Sequence, residues 1–387
     1  MKILAVGGGS GGHVTPVVAV LKEFRALQPD AVLRFWCDKP FAPQARATVQ
    51  AFDATIPIQT IVAGKLRRYH HLTLFQQLTW PSLVAQNFAD IFKVATGFVQ
   101  SFLKLIFWRP DVVFTKGGYV CLPVGLAARV LRIPLVIHDS DAHPGLTNRI
   151  LARWATAIAT GAPLEYYHYP KAKSQYVGIP ISSNFHPYTP ELQRAAKTEW
   201  GVDPSKPLTV VTGGGLGASR INNVVKETLT DMQQLGSVVL VAGAGQYDEL
   251  RAAMPANSDT FQLYPFVTNM HSLLGAADVV VTRAGATTIL ELAALQKPTI
   301  LIPNGKLTGG HQLKNAAVYQ AADAVIVLDE NILDDDMTLL SKTIAALLAD
   351  DTKREEMARA FHAFSKPDAA KNMADMILKA VRSRRSS

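Results

Sequence analysis

The chain has 387 residues, 48% of them hydrophobic and 18% charged, with a formal net charge of +8. Those proportions exclude a disordered chain and suit two α/β domains, because one core rarely grows to that length. Cys37 and Cys121 are the only cysteines, which excludes a disulfide framework and a thiolate zinc cluster.

The charge is uneven. Residues 1–200 carry 21 Lys and Arg against 11 Asp and Glu, whereas residues 201–387 carry 18 against 20. A basic half suits nucleic acid, an anionic membrane or a phosphorylated substrate. A solvated surface with no partner has the same composition.

In chain order, MKILAVGGGSGGH passes from a short apolar run straight into glycines. It lacks the length and cleavage site of a signal peptide and reads as a first strand, Ile3–Val6. Further strands are expected at Val32–Cys37, Val112–Thr115, Leu135–His138, Leu208–Thr212, Val238–Ala242, Val279–Thr282, Thr299–Ile302 and Ala324–Leu328. Their continuous apolar character and helix-length spacing predict parallel sheets covered on both faces.

The pattern starts twice. Ile3–Val6 leads into GGGSGGH, and Leu208–Thr212 leads into GGGLGAS. Two strand–glycine–helix openings predict two Rossmann-like domains, with the expected site in the cleft between them, outside the carboxyl ends of the strands. The expected boundaries are 1–180 for the first domain, 181–207 for a linker, 208–364 for the second domain and 365–387 for a C-terminal helix and basic tail.

Between His70 and Pro110 the chain is rich in Leu, Phe and Trp. Phe88–Trp108 reads as an amphipathic helix packed on the sheet. Asp90, Lys93 and Lys104 interrupt it and argue against a membrane span. Just before it, Leu74, Phe75, Leu78 and Trp80 follow Lys65, Arg67 and Arg68. Apolar anchors beside cations suit a peripheral membrane contact.

The first loop contains G-x-G-x-x-G at Gly7, Gly9 and Gly12, with Asp38 where a ribose-binding acid could follow. Taken alone it suits a dinucleotide as well as any other anion at a helix start. A dinucleotide leaves His13, Thr15 and Pro16 unexplained. Pro16 suits the first turn of the helix. The His13 imidazole could take a proton from a hydroxyl, although a packing or capping histidine has the same spacing. In the second half, Arg283-Ala284-Gly285 opens a helix with Thr287, Thr288 and then Glu291. Its free N–H groups suit a diphosphate, and the Glu291 carboxylate offers two acceptors to vicinal hydroxyls. Gly309-Gly310-His311-Gln312 adds a close backbone approach and side chains suited to sugar hydroxyls.

Together GGGSGGHVTP, GKLRRY, TKGGYV, IHDSDAHPGLTN, GGGLGA, ADVVVTRAGATTILELAA and GGHQLKNA occur in an order that resembles the MurG family of UDP-N-acetylglucosamine transferases, from Met1 to about Leu328. The resemblance implies a GT-B fold, in which two Rossmann-like α/β domains with parallel sheets face a cleft. The first would hold the acceptor and touch the membrane, and the second would hold the UDP-sugar. The implied reaction is inverting transfer of GlcNAc to the C4 hydroxyl of MurNAc in lipid I, giving lipid II. A related transferase acting on diacylglycerol or another polyprenyl lipid keeps the same fold. A dinucleotide-dependent oxidoreductase and a non-catalytic UDP-sugar-binding subunit are the readings from other classes.

By that resemblance His13 is the general base or orienting group. Ser10, Gly11, Gly12, Asp141, Gly215, Val267, Ala286, Thr287, Thr288, Glu291, His311 and Gln312 meet the UDP-GlcNAc donor, with the Val267 backbone on uracil and Glu291 on the ribose. Gly9, Thr15, Gly117, Gly118 and Tyr119 meet the acceptor. The implied partners are the UDP-sugar, a polyprenyl-diphosphate-linked acceptor and an anionic membrane surface, with no nucleic acid. The implied place is the cytoplasm, peripheral on the inner face of the cell membrane. No cofactor or metal is expected to be obligatory. Two positions depart from the family pattern: Gly215 stands where Ser is usual, and Ile179-Pro180-Ile181-Ser182 aligns with N-P-V-R. A hydroxyl and a guanidinium are thereby lost from the expected donor side.

Overall fold

The computed structural model describes residues 1–8, 11–67, 73–214, 217–305 and 310–385, the side chains of residues 11–13, 74, 78, 384 and 385 excepted. The chain divides into two compact units. One holds Met1–Ser182, Lys306–His311 and Lys366–Ser387, and the other holds Ser183–Gly305 and Gln312–Ser365.

In the first unit the strands are β1 (Lys2–Val6), β2 (Val32–Cys37), β3 (Ile58–Thr60), β4 (Val112–Thr115), β5 (Leu135–Asp139), β6 (Ala157–Thr160) and β7 (Ser174–Tyr176). They form a sheet in the order β3-β2-β1-β4-β5-β6-β7, parallel in every pairing. In the second, β8 (Leu208–Thr212), β9 (Ser237–Val241), β10 (Phe261–Tyr264), β11 (Val279–Thr282), β12 (Thr299–Leu301) and β13 (Ile326–Val327) run β10-β9-β8-β11-β12-β13. These pairings are parallel too. Each sheet therefore reverses its winding beside its first strand, between β1 and β4 and between β8 and β11. Crevices at such reversals, outside the strand carboxyl ends, are where open α/β sheets bind ligands.

Residue alternation builds the two faces of the first sheet. Ile3 and Ala5 of β1, with Val112 and Phe114 of β4, join a core with Leu21, Phe24, Met373 and Ile377. Leu4, Val6 and Val113 face a second core with Trp36, Leu105, Val124 and Leu151. Successive side chains of a strand point to opposite faces, so a strand covered on both sides must be apolar throughout. The C-terminal helix, Ala369–Arg385, covers the first sheet beside the helix Gly11–Leu27. The expected linker carries a helix of its own, Pro190–Glu199.

The strands β3, β6, β7 and β10 were not anticipated. Three of them are sheet edges. IQT, SQY and FQLY lack the long apolar run of a central strand, and their pairing supplies what their composition does not.

The helix expected at Phe88–Trp108 begins earlier, at Pro81, whose missing N–H suits the first turn. It packs on the first unit's second core as expected, through Leu105 with Val94, Phe98, Phe102 and Trp108, and it also carries an apolar stripe that faces out. Leu83, Asp90, Gly97, Ser101 and Leu105 face inward, while Val84, Phe88, Ile91, Phe92, Val99, Leu103, Ile106 and Phe107 face out, Phe107 being 87% exposed. Contacts on the inner side decide this. A Cβ on Gly97 would lie 1.8 Å from the Val62 carbonyl oxygen. The buried Asp90 carboxylate pairs with Arg67 at 2.5 Å and Lys93 at 3.0 Å. These contacts fix which face turns inward, and a second apolar stripe is left outside.

Candidate functional site

The first switch point is built on three strand ends. After β1 the chain turns through Gly7 and Gly8 into the helix Gly11–Leu27. A Cβ on Gly8 would stand 2.2 Å from Asp38 Oδ1. Asp38 is buried, and its Oδ2 accepts a 2.8 Å hydrogen bond from the Tyr119 hydroxyl. The acid at the ribose position of a dinucleotide fold thus lies beneath the turn, committed to Tyr119. Pro16 sits inside the helix, a turn later than expected, and Thr15 is exposed. Having no N–H, Pro16 leaves the carbonyl four residues back without its helical donor.

Behind β4, Gly117 (φ +90°) and Gly118 (φ +85°) take a conformation that residues with a Cβ resist. Lys116 precedes them and is almost wholly buried. Its ammonium donates to Ser140 Oγ. Burial pushes it down to about 8, against the opposing pull of Asp141 and Asp139. Behind β5, Asp139 accepts a 2.7 Å bond from the Tyr169 hydroxyl. Burial pushes this carboxyl up to about 7, and Asp141 adds to the rise. His138 Nε2 lies 2.7 Å from the Gly178 carbonyl oxygen, and its Nδ1 lies 3.4 Å from Ser140 Oγ. His311 belongs to this unit, with Nδ1 3.7 Å from Asp141 Oδ2. Cys37 and Cys121 are buried, and burial pushes both thiols up to about 12, far from thiolate chemistry.

The second switch point has another character. Gly214 (φ +77°) and Gly217 (φ +74°) shape the loop after β8, and a Cβ on Gly217 would meet the Ala242 carbonyl oxygen at 2.2 Å. After β11, Arg283 is buried and bound to Glu330, and it donates to the Ile302 carbonyl at 3.0 Å. The helix Ala286–Leu295 then begins with no side-chain cap and no acid in its first turn. Ala286, Thr287 and Thr288 are half-exposed there. Asn315 ties the preceding turn down by donating to Ala284 at 3.2 Å. Glu291 is half-buried, and desolvation pushes its carboxyl up to about 8. Its side chain has no hydrogen-bond or ion-pair partner among the described residues. Gln312 Oε1 accepts from the Asn304 N–H at 2.8 Å, and Val267 is buried beside the exposed Phe266.

Of the expected site residues, Gly9, Ser10, Arg68 and Gly215 lie outside the described residues, as do the side chains of Gly11, Gly12, His13, Leu74 and Leu78. The others fall into separate groups. Gly117, Gly118, Tyr119, Asp141 and His311 belong to the first unit, with Thr15 on its first helix. Val267, Ala286, Thr287, Thr288, Glu291 and Gln312 belong to the second. Phe75 and Trp80 are exposed, whereas Arg67 is spent on Asp90. Lys116, His138, Ser140 and Tyr169 went unread, since a lysine before two glycines looks like a solvated loop. The Asp139-Ser140-Asp141 run also has the Asp-x-Asp spacing of a metal site. Yet its first carboxylate is held by Tyr169, and among the described residues no group of three or more His, Cys, Asp or Glu is placed to hold a metal ion.

Residues 3–160 match the glycosyltransferase family 28 N-terminal domain, and residues 208–373 match the glycosyltransferase family 28 C-terminal domain. The chain belongs to glycosyltransferase family 28. Among its family 28 relatives is the UDP-N-acetylglucosamine--N-acetylmuramyl-(pentapeptide) pyrophosphoryl-undecaprenol N-acetylglucosamine transferase of Salinibacter ruber. It is 34% identical over 97% of this chain and 96% of the relative. The enzyme of the same name from Halalkalibacterium halodurans is 32% identical over 98% and 99%. Among solved structures, Acinetobacter baumannii MurG superposes with a TM-score of 0.71 at 25% identity, covering 98% of this chain and 99% of that one. Both family 28 domains thus open on a central strand followed by glycines, β1 in one and β8 in the other.

Proposed function

We propose that this protein transfers N-acetylglucosamine from UDP-N-acetylglucosamine to the C4 hydroxyl of the MurNAc unit of lipid I, giving lipid II and UDP. Full-length membership in family 28 alongside transferases of that name supports the reaction. The observation that carries the donor assignment is the uncapped start of the helix Ala286–Leu295, with the partnerless Glu291 one turn in. Backbone N–H groups at Ala286, Thr287 and Thr288 face the diphosphate, and the helix dipole stabilises the charge that UDP gains as it departs. Glu291 accepts the two ribose hydroxyls, and the Val267 backbone meets uracil. His311 and Gln312 hold the GlcNAc hydroxyls, with Asp141 beside the same sugar.

In the reaction the acceptor oxygen bonds to the anomeric carbon as the bond from that carbon to the UDP oxygen breaks. His13 takes the hydroxyl proton. Ser10, Gly11, Gly12 and Gly215 line the phosphate loops, while Gly9, Thr15, Gly117, Gly118 and Tyr119 meet the acceptor. Charge on the leaving group is met by N–H groups, so no metal is required.

With a lipid acceptor, the reading puts the protein peripherally on the cytoplasmic face of the membrane. The outward apolar stripe of the helix Pro81–Trp108 supports this, together with Phe75 and Trp80 and the nearby Lys65. An anionic surface accommodates apolar anchors and cations together. The test is incubation of the purified protein with UDP-GlcNAc and a lipid I analogue. A disaccharide product is expected. Product with diacylglycerol or another polyprenyl lipid, and none with lipid I, overturns the acceptor.

A further inference from the structure

β8 and β11 lie side by side, and their ladder ends at the rung Thr212–Thr282. Beyond it the chain leaves β8 through the glycine loop into the helix Ser219–Leu235, and leaves β11 through Arg283-Ala284-Gly285 into the helix Ala286–Leu295. An arginine stands at each departure. Arg220 is the second residue of the first helix, and Arg283 is the first residue after β11. Both reach Glu330. Arg283 Nη2 pairs with Glu330 Oε1, while Arg220 Nη1 lies 3.2 Å from Glu330 Oε2, an ion pair without hydrogen-bond alignment. Each carboxylate oxygen thus serves a different arginine. Glu330 opens the short helix Glu330–Asp335 but does not cap it, since Asp329 accepts from the Asn331 N–H. At 6% exposure its burial is costly unless cations answer the charge. The amino ends of the same strands are fastened differently. There Asp278 accepts from the Leu208 N–H at 2.7 Å and pairs with Lys197 at 2.7 Å, which holds strand to strand and to the helix Pro190–Glu199. Glu330 instead holds the two segments that follow the strands.

We propose that Glu330 is a positioning residue for the donor site, a single carboxylate that sets the spacing between the glycine loop after β8 and the helix start after β11 by binding Arg220 and Arg283 together. The proposal rests on the reading that those two segments hold the diphosphate of UDP-GlcNAc. Main-chain N–H groups stabilise an anion best when they are already aimed at it, and a small misplacement is costly. The two arms differ in strength. Arg283 also donates to the Ile302 carbonyl at 3.0 Å, which fixes its guanidinium against the end of β12. Arg220 is partly exposed, and its second partner is Asp334, at 3.3 Å from Nη2. Loss of the Arg220 arm therefore releases the glycine-loop side and leaves the buried Arg283–Glu330 pair in place.

The test is KM for UDP-GlcNAc with a lipid I analogue, together with the Kd of UDP by titration calorimetry, on the full chain. Arg220→Met should raise both constants about tenfold, with little change in kcat. Glu330→Gln should raise them at least as far. These two substitutions change the net charge in opposite directions, so a rise in both is not an effect of the field on the diphosphate. A merely structural contact lowers the melting temperature and leaves KM and Kd parental in Arg220→Met, which overturns the proposal. Constants that rise in Arg220→Met and fall in Glu330→Gln also overturn it, because charge alone then accounts for them. Asp334→Asn removes the other partner of Arg220 and the same charge as Glu330→Gln. Its constants should not rise, and a rise equal to that of Glu330→Gln overturns the assignment to Glu330. Above pH 8, Glu291→Gln separates the two claims. A parental KM there sinks the donor reading of these segments. A raised KM there, with a parental KM in Arg220→Met, sinks the role of Glu330 alone.

Discussion

The two units share one winding order but furnish their switch points differently. Beside β1 and β4 lie buried ionisable groups: Asp38, Lys116 and Asp139, each within reach of a phenol or hydroxyl. Beside β8 and β11 the buried Arg283–Glu330 pair is joined by Arg220, and Thr287, Thr288 and Glu291 are half-exposed at the helix start. Topology supplies a crevice in both. On the proposed function the first handles the acceptor's proton and the second receives the nucleotide's charge.

The largest expected effect tests the proton-handling half. His13→Ala should reduce transfer by roughly 10² to 10⁴, the range for loss of a general base, while UDP still protects against thermal unfolding. If transfer is unchanged, the proton has another destination and the contrast between the units loses its chemical meaning.

Next comes the anion-receiving half. Above pH 8, where the carboxyl is ionised, Glu291→Gln should raise KM for UDP-GlcNAc by one to two orders of magnitude, since a hydrogen bond to a charged group contributes about 1.5–3 kcal/mol. The same variant carries a pH signature. The folded-state carboxyl is raised to about 8 by desolvation. A carboxyl raised on folding contributes stability that is complete below its unfolded value and is lost as the pH climbs through about 8. In the absence of nucleotide, Glu291→Gln should therefore melt higher than the parent at pH 8 and above, and nearly alike at pH 5. A lower melting point at high pH would mean that Glu291 has a partner in the fold and is not held for a ligand.

The third prediction asks whether the outward stripe belongs to the first unit's task. Phe88→Ser with Phe92→Ser should weaken binding to anionic vesicles, because each large apolar side chain withdrawn from water contributes about 1.5–3 kcal/mol. Trp80→Ser and Leu78→Ser should act in the same direction. Transfer to a water-soluble acceptor analogue should persist. Vesicle binding at the parental level removes the membrane from this face.

How far the sequence reaches follows the same physical lines. Central strands such as VVFT and SVVLV are legible because burial on both faces demands unbroken apolar runs. Edge strands such as IQT and SQY carry no such demand, and their pairing is a tertiary event. Periodicity showed which residues of Pro81–Trp108 share a side, but not which side turns inward. That was settled by Gly97 against Val62 and by Asp90 against Arg67, partners more than twenty residues away. At the site, Glu291 was legible because a lone acid stands one turn into a glycine-led helix. Lys116 was not, because the partners that justify its burial come from another strand end.

The smallest effect compares two glycines. Gly117 and Gly214 both take positive φ, so alanine should cost each about 1–2 kcal/mol of stability, measurable by urea unfolding. Beyond that they differ. A Cβ on Gly214 meets open space, whereas one on Gly117 lies 3.3 Å from Asn148 Nδ2, on the residue that also hydrogen-bonds Asp139. Gly214→Ala should therefore retain near-parental transfer once folded, with at most a modest change in KM for UDP-GlcNAc. Gly117→Ala should lose more transfer than its stability accounts for, because displacing Asn148 disturbs the carboxylate facing Lys116. Equal losses of stability with equal activities would mean that both turns are scaffolding, and that the charged groups beneath the first are tuned by the fold rather than for the reaction.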